Sequence, residues 1–408
     1  MIALKKRSIG LFAAAAVFLI APISGAQNLA VRGGTIWTLT GEPLRDGVVV
    51  IRNGKIAAIG PAASTAIPEG LRVLEAKVVT PGLIDAHTVV GLSGYLNQPH
   101  DQDQLETTAP MQAQLRAIDA YNAREHLVGW VRSLGTTTMH TGHGPGALVS
   151  GQTMIVKTRG QTVEEALVRP LAMVAVTLGP GGYAGTGKSP GTRAKSAAML
   201  RADLIKAQDY DRKMAGAEDK RPARDLHIEA LAQVIRKEIP LLVTADRAND
   251  ILTALRIAEE FGIRVVLDSA AEAYEVADRI RASGVPVIVH PPMARANGER
   301  ENLTMESASR LRKAGIPFAL QTGFEGYVPK TRVLLFETAV AAANGLTSEE
   351  ALAAVTRDAA KILGIADRVG TIAPGLDGDL VLFDGDPFEY TTHVLATVIE
   401  GEIVHERE

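Results

Sequence analysis

Pro81-Gly82-Leu83-Ile84-Asp85-Ala86-His87-Thr88-Val89 is an apolar run that ends on a histidine. Side chains alternate faces along a strand, so a strand offering two metal-binding imidazoles carries the second two residues on. That position is Val89. The stretch therefore reads as the opening strand of a catalytic barrel that lacks its second histidine. Downstream, apolar runs of strand type alternate with helical patterns. The predicted strands are 78–87, 136–140, 154–157, 172–178, 241–244, 265–268, 287–290 and 318–322. The clearest predicted helices are 248–261, 271–282, 307–314, 333–344 and 348–363, with a further helix of mixed charge at 194–214. Eight strands alternating with helices predict an α/β fold of the (β/α)8 TIM-barrel type over residues 79–370. A doubly wound open sheet is the alternative, but no glycine-rich turn follows the first strand.

Both chain ends read differently. Val48–Ile51 and Lys55–Ile59 flank Asn53-Gly54, a strong hairpin signal. Leu380–Phe383, Thr397–Ile399 and Ile403-Val404 form a similar set around Asp384–Pro387 and Glu400-Gly401. Neither set is large enough for a stable sheet alone. Residues 27–78 and 371–408 are therefore expected to share one small β-sandwich domain.

The 408 residues suffice for one large domain or two ordinary ones. A hydrophobic content of 46% with 22% charged residues is that of a chain with a packed core. The formal charge of -3, with aromatics at 4%, argues against nucleic acid as a partner. With no cysteine there is no disulfide, thiolate nucleophile or thiolate metal site. Residues 1–26 carry Lys5, Lys6 and Arg7, an apolar stretch from Ile9 to Ile20, and Ser24-Gly25-Ala26. This is the pattern of a secretory signal peptide, so the expected location is periplasmic or secreted, with no membrane association after cleavage.

Gly182–Ser189 matches the phosphate-loop pattern GxxxxGK[ST]. Its mechanism requires a helix starting at the lysine, and Pro190-Gly191 follows directly. The expected structure is a loop over the barrel mouth.

Several longer segments carry a family resemblance: VVTPGLIDAH (78–87), GQTMIVKTRGQTVEEAL (151–167), GTGKSPGTRAKSAAMLRADLIKAQDY (185–210), ADRANDILTALRIAEEFGIRVVLD (245–268) and DRVGTIAPGLDGDLVLFDGDPF (367–388). Together they resemble the amidohydrolase superfamily, in its imidazolonepropionase-like branch. The resemblance implies a barrel with a β-sandwich built from both chain ends, and metal-dependent hydrolysis of amide-type or other non-peptide C–N bonds. It also implies metal ligands at the strand ends. Those positions hold His87 and Val89 on the first strand, Thr244 on the fifth, Ser269 on the sixth and Gly323 on the eighth. Only His87 belongs to the usual set. A metal lowers the pKa of bound water from about 15.7 to about 7, and a catalytic zinc needs about three protein ligands. Thr, Ser and Gly supply none at neutral pH.

The remaining candidates for a rebuilt pocket are His143 and His290 as added ligands of zinc or another divalent metal, with Asp246 and Lys157. Lys157 reads either as a lysine of lowered pKa or as one partner of an ion pair. No G-x-S-x-G elbow accompanies Ser93, Ser150 or Ser269. Three readings compete. The first is a catalytically silent homologue with no metal, acting in ligand binding or as a subunit beside an active relative. The second is an active exported hydrolase of a cyclic amide or peptide-like substrate with a non-standard site. The third is a pure binding protein whose barrel mouth, lined by Tyr183, Phe324 and Tyr327, holds a small molecule. A homo-oligomer is compatible with each.

Overall fold

A computed structural model describes residues 28–96, 98–324 and 332–408. In chain order the strands are β1 (Leu29–Ile36), β2 (Leu44–Arg52), β3 (Lys55–Pro61), β4 (Arg72–Pro81), β5 (Leu83–Thr88), β6 (Thr136–Thr141), β7 (Val149–Gln152), β8 (Met154–Lys157) and β9 (Leu167–Arg169). They continue with β10 (Val174–Thr177), β11 (Leu241–Thr244), β12 (Val265–Ser269), β13 (Val287–Val289), β14 (Phe318–Leu320), β15 (Leu380–Phe383), β16 (Val394–Ile399) and β17 (Glu402–Glu406).

The two chain ends join in one seven-stranded sheet ordered β17-β16-β15-β4-β1-β2-β3. β4 is the seam, parallel to β1 on one side and antiparallel to β15 on the other. Leu29, Val31, Val49, Ile51, Val79, Leu380 and Val398 form its buried core.

The run 78–87, read as one strand, is two. β4 ends in this sheet at Pro81, and β5 starts the barrel at Leu83. Gly82 makes the transition, because a β-carbon there would stand 2.2 Å from Thr137 Oγ1 and 2.8 Å from Thr137 Cβ. Gly82→Ala is expected to cost about 1–3 kcal/mol of stability in urea unfolding. An unchanged midpoint would mean that Thr137 moves aside freely.

The barrel closes from two pieces. β10 to β14 run parallel, in the sheet β14-β13-β12-β11-β10-β7. β5 and β6 are parallel in the second sheet, β5-β6-β8-β9. A Thr88–Gly323 bridge joins the pieces at one seam, where Gly323 N–H donates to the His87 carbonyl at 3.1 Å. At the other seam β7 and β8 follow each other through Thr153 and run antiparallel to their neighbours, β8 to β6 and β7 to β10. The third stave of the barrel is therefore reversed, which alternation of strands and helices did not predict. Its C-terminal end points to the base of the barrel.

Helices cover the outside. Ala248–Phe261 forms as predicted and stops at Gly262, whose φ of 61° is left-handed and suits glycine. Ser348–Leu363 is two helices, Ser348–Ala354 and Arg357–Leu363. Thr347 and Glu350 close a capping box at the first. The break falls at Thr356, whose hydroxyl donates to the Leu352 carbonyl at 2.6 Å. The segment 271–282 begins as a 3-10 turn, Ala273–Val276, before the helix Ala277–Ser283. Among the described residues no helix is long and apolar enough to cross a membrane. The leader read at residues 1–26 lies outside the described residues.

Candidate active site

Period-two alternation carries the chain from barrel core to barrel mouth. Leu242, Val266, Ile288 and Ala319 belong to one buried cluster with Ile84. Two residues further along the same strands stand Thr244, Asp268, His290 and Gln321. Thr244, Asp268 and Gln321, with His87, Asp246, Ser269, Gly323, Phe324 and Arg300, line a cavity of about 410 Å³.

His87 is its centre. The ring is buried, and Nδ1 lies 2.9 Å from Asp268 Oδ1. Asp268 also accepts from Gln321 Nε2 at 2.9 Å and from the Thr244 hydroxyl at 2.6 Å. With three donors around it the carboxylate is ionised, so Nδ1 carries a hydrogen. The other ring nitrogen, Nε2, is buried and has no hydrogen-bond partner among the described residues. Burial works to lower the pKa of His87, but the Asp268 charge overcomes it and holds the group above its ordinary value. Burial likewise works to raise Asp268, and the His87 charge holds it below the usual carboxylate range.

The other sequence candidates divide. Thr244, Asp246, Ser269 and Gly323 share the cavity with His87. Asp246 accepts from the Ser269 hydroxyl at 2.6 Å, and burial raises its pKa against that bond. His290 does not join them. Its Nδ1 lies 3.0 Å from the Pro291 carbonyl and its Nε2 3.0 Å from Ser307 Oγ, so both nitrogens are engaged. His143 is buried against Gly151, where a β-carbon would stand 2.3 Å from its ring. His140 lies nearer, 5.6 Å from His87 between ring centroids, but its nitrogens meet the Ala86 carbonyl at 2.7 Å and Thr153 Oγ1 at 2.6 Å.

Lys157 is the clear correction to the pocket set. The strand that carries it runs backwards, so the residue ends at the base of the barrel. There its ammonium pairs with Asp379 and, at 3.2 Å, with Asp377. Phe324 lines the cavity, Tyr183 does not, and Tyr327 lies outside the described residues. No helix starts at Lys188. The helix Arg193–Met214 begins five residues later, capped by Thr192. His227 is half-buried, with Nε2 2.8 Å from Asp203.

Sequence reasoning missed Asp268, Gln321 and Arg300. The signal for Asp268 was present, since an acidic residue ends the otherwise apolar run Val265-Val266-Leu267 on the cavity face.

The buried histidines set a pH dependence. Burial lowers His140 to about 3 and His143 and His290 to about 4, against an ordinary 6.5. Between those values the unfolded chain binds protons that the folded chain refuses, so stability falls as pH drops from 6.5 towards 4. Asp85, raised by burial from 3.8 to about 6, opposes this, and Asp246, Asp250 and Glu125, which burial also raises, act in the same direction as Asp85. The expected result is a urea midpoint that decreases across this window. A flat or rising midpoint would show that the raised carboxyls outweigh the three rings.

The geometry can now be set beside known proteins. A crystal structure of an amidohydrolase from Thermotoga maritima MSB8 matches 93% of this chain and all of its own length, at 30% identity and a TM-score of 0.87. The chain belongs to the amidohydrolase superfamily, in its imidazolonepropionase-like branch. The Amidohydrolase family model matches residues 331–405. Imidazolonepropionases from Rhizorhabdus wittichii and Stenotrophomonas maltophilia are each 26% identical, over 86% of this chain and 92% and 91% of their own. A zinc-bound adenosine deaminase structure from Xanthomonas campestris, 16% identical with a TM-score of 0.56, shares the fold alone; it matches 92% of each chain.

Family membership raises the question of a divalent metal. Among the described residues, no group of three or more His, Cys, Asp or Glu side chains could hold one. His87 offers one nitrogen, and its cavity neighbours at positions 244, 269 and 323 are Thr, Ser and Gly. The residues present do not fit the ion.

Proposed function

We propose that this amidohydrolase homologue has given up metal-hydroxide chemistry and keeps its barrel mouth as a small-molecule site. The observation that carries this is His87 itself. Its Nδ1 is held by Asp268 at 2.9 Å, and among the described residues no second histidine lines the cavity with it. An ion gripped through one imidazole among hydroxyls would dissociate readily, and without it no hydroxide forms at neutral pH. The Asp246 carboxylate is tied to Ser269 and is no replacement.

Elemental analysis of protein purified from zinc-supplemented cells tests the proposal. The expected metal content is far below one ion per chain. Near-stoichiometric zinc, lost on chelation together with a hydrolytic activity, would overturn it. Export is part of the same reading, supported by the leader pattern of residues 1–26. Recovery of the unprocessed chain in the cytoplasm would count against it.

A further inference from the structure

One wall of the cavity is fastened differently from the rest. Residues 293–306 join β13 to the helix Ser307–Lys313, and Glu299 and Arg300 in their middle line the cavity. None of residues 293–306 is buried, and none belongs to an apolar cluster of the core. The ends of the segment are fixed by contrast, since Pro291, Pro292 and Ser307 are buried.

Charge holds its middle to the barrel. Arg247, just before the helix Ala248–Phe261, donates to Glu301 at 2.8 Å and to the Gly298 carbonyl at 3.3 Å, and lies 4.0 Å from Glu299. Arg193, at the start of the helix Arg193–Met214, pairs with Glu299. Both arginines are positioned from behind by acids. Glu272 accepts from Arg247 at 2.8 Å, and Asp250 accepts from Arg193 at 2.9 Å. Asn302 adds a bond to Glu272 at 2.7 Å, and its carbonyl accepts from the Tyr274 hydroxyl at 2.9 Å. The Arg193, Glu299, Arg247 and Glu301 side chains are all partly exposed, so dissolved salt screens them. A segment with no apolar anchor and solvent-reached ion pairs opens at a small fraction of the cost of global unfolding.

We propose that residues 293–306 are a flap, latched by Arg193 and Arg247, whose opening admits small molecules to the cavity. Opening breaks the pairs to Glu299 and Glu301 and swings out the wall that carries Arg300. Pro291, Pro292 and Ser307 stay in place, so the strand ends that line the rest of the cavity are undisturbed. Access therefore rises with ionic strength, whatever molecule the cavity takes. The device is independent of whether the cavity holds a metal.

The chain has no cysteine, so one introduced thiol reports on the cavity alone. Thr177 lines the cavity, is 4% exposed and is close to cysteine in size. The test is labelling of the full-length Thr177→Cys protein with N-ethylmaleimide, an uncharged reagent, in about 0.05 M and about 0.5 M sodium chloride. The rate is expected to rise about threefold or more at high salt, and about threefold or more when Arg247→Gln is added at low salt. Arg256→Gln, at an exposed position of the same helix, should leave it unchanged. Hydrogen exchange of the cysteine-free chain is the second readout. Amides of residues 298–306 should exchange faster in Arg247→Gln by about the same factor, and those of β11 and β12 at the parent rate. Labelling indifferent to both salt and Arg247→Gln, or absent throughout, would overturn the proposal. So would labelling as fast as that of a free thiol in every condition, since the flap would then close nothing. A rise matched by faster exchange in β11 and β12 would also overturn it, by showing that the whole barrel loosens.

Discussion

The triple variant Thr244→His, Ser269→His and Gly323→Asp is expected to bind zinc at about one ion per chain, where the parent binds little. All three positions line the same cavity as His87. The backbone is already suited to the new side chains. Ser269 has a φ of 64° and Gly323 a φ of 69°, a region where histidine and aspartate are found far more often than most residues. At position 323 a β-carbon would stand 3.0 Å from the Pro291 ring, so that ring must give slightly. His87 needs no rearrangement, because a carboxylate on Nδ1 is the arrangement that orients an imidazole to bind metal through Nε2. Four ligands would then meet the requirement that one cannot. Zinc calorimetry checks this, with His87→Ala in the triple background expected to weaken binding by about tenfold or more. If the triple variant binds no better than its parent, these strand ends do not converge on one point.

Lys157→Met should destabilise the protein by about 3–5 kcal/mol, the cost of leaving a buried charge unpaired. The Lys157 side chain is 3% exposed and that of Asp379 is 4% exposed. Asp377 would keep Lys55 at 2.5 Å and Arg368 at 3.0 Å, but Asp379 would keep only the Glu400 amide at 2.9 Å. Methionine matches the lysine stem in length, so lost packing contributes little. By contrast Lys55→Met, at a half-exposed side chain, is expected to cost about 1 kcal/mol or less. Urea unfolding of the two variants side by side makes the comparison. A Lys157→Met loss as small as that of Lys55→Met would show that water reaches Asp379.

The fold was legible because its signals are periodic. Apolar runs of four to six residues and their glycine stops marked β11, β12 and the helix Ala248–Phe261 closely. The direction of β7 and β8 was not legible, since a strand pattern reads the same in either sense. That one ambiguity misplaced Lys157. In the site, strand ends located Thr244, Asp246, Ser269 and Gly323 beside His87. What failed was reading loops: Arg300 sits in the segment after β13, where no periodicity points inward. His290 is the converse case. It occupies the right strand position, but its ring turns to Pro291 and Ser307, and only side-chain geometry distinguishes the two outcomes.

The backward stave has an architectural consequence. Because its far end is anchored by Asp377 and Asp379, from the segment leading into β15, the barrel borrows its counter-charges from the last few dozen residues of the polypeptide. Excising residues 371–408 would therefore strip a wall of the barrel of its neutralising anions. The half left behind should not survive as a free-standing domain.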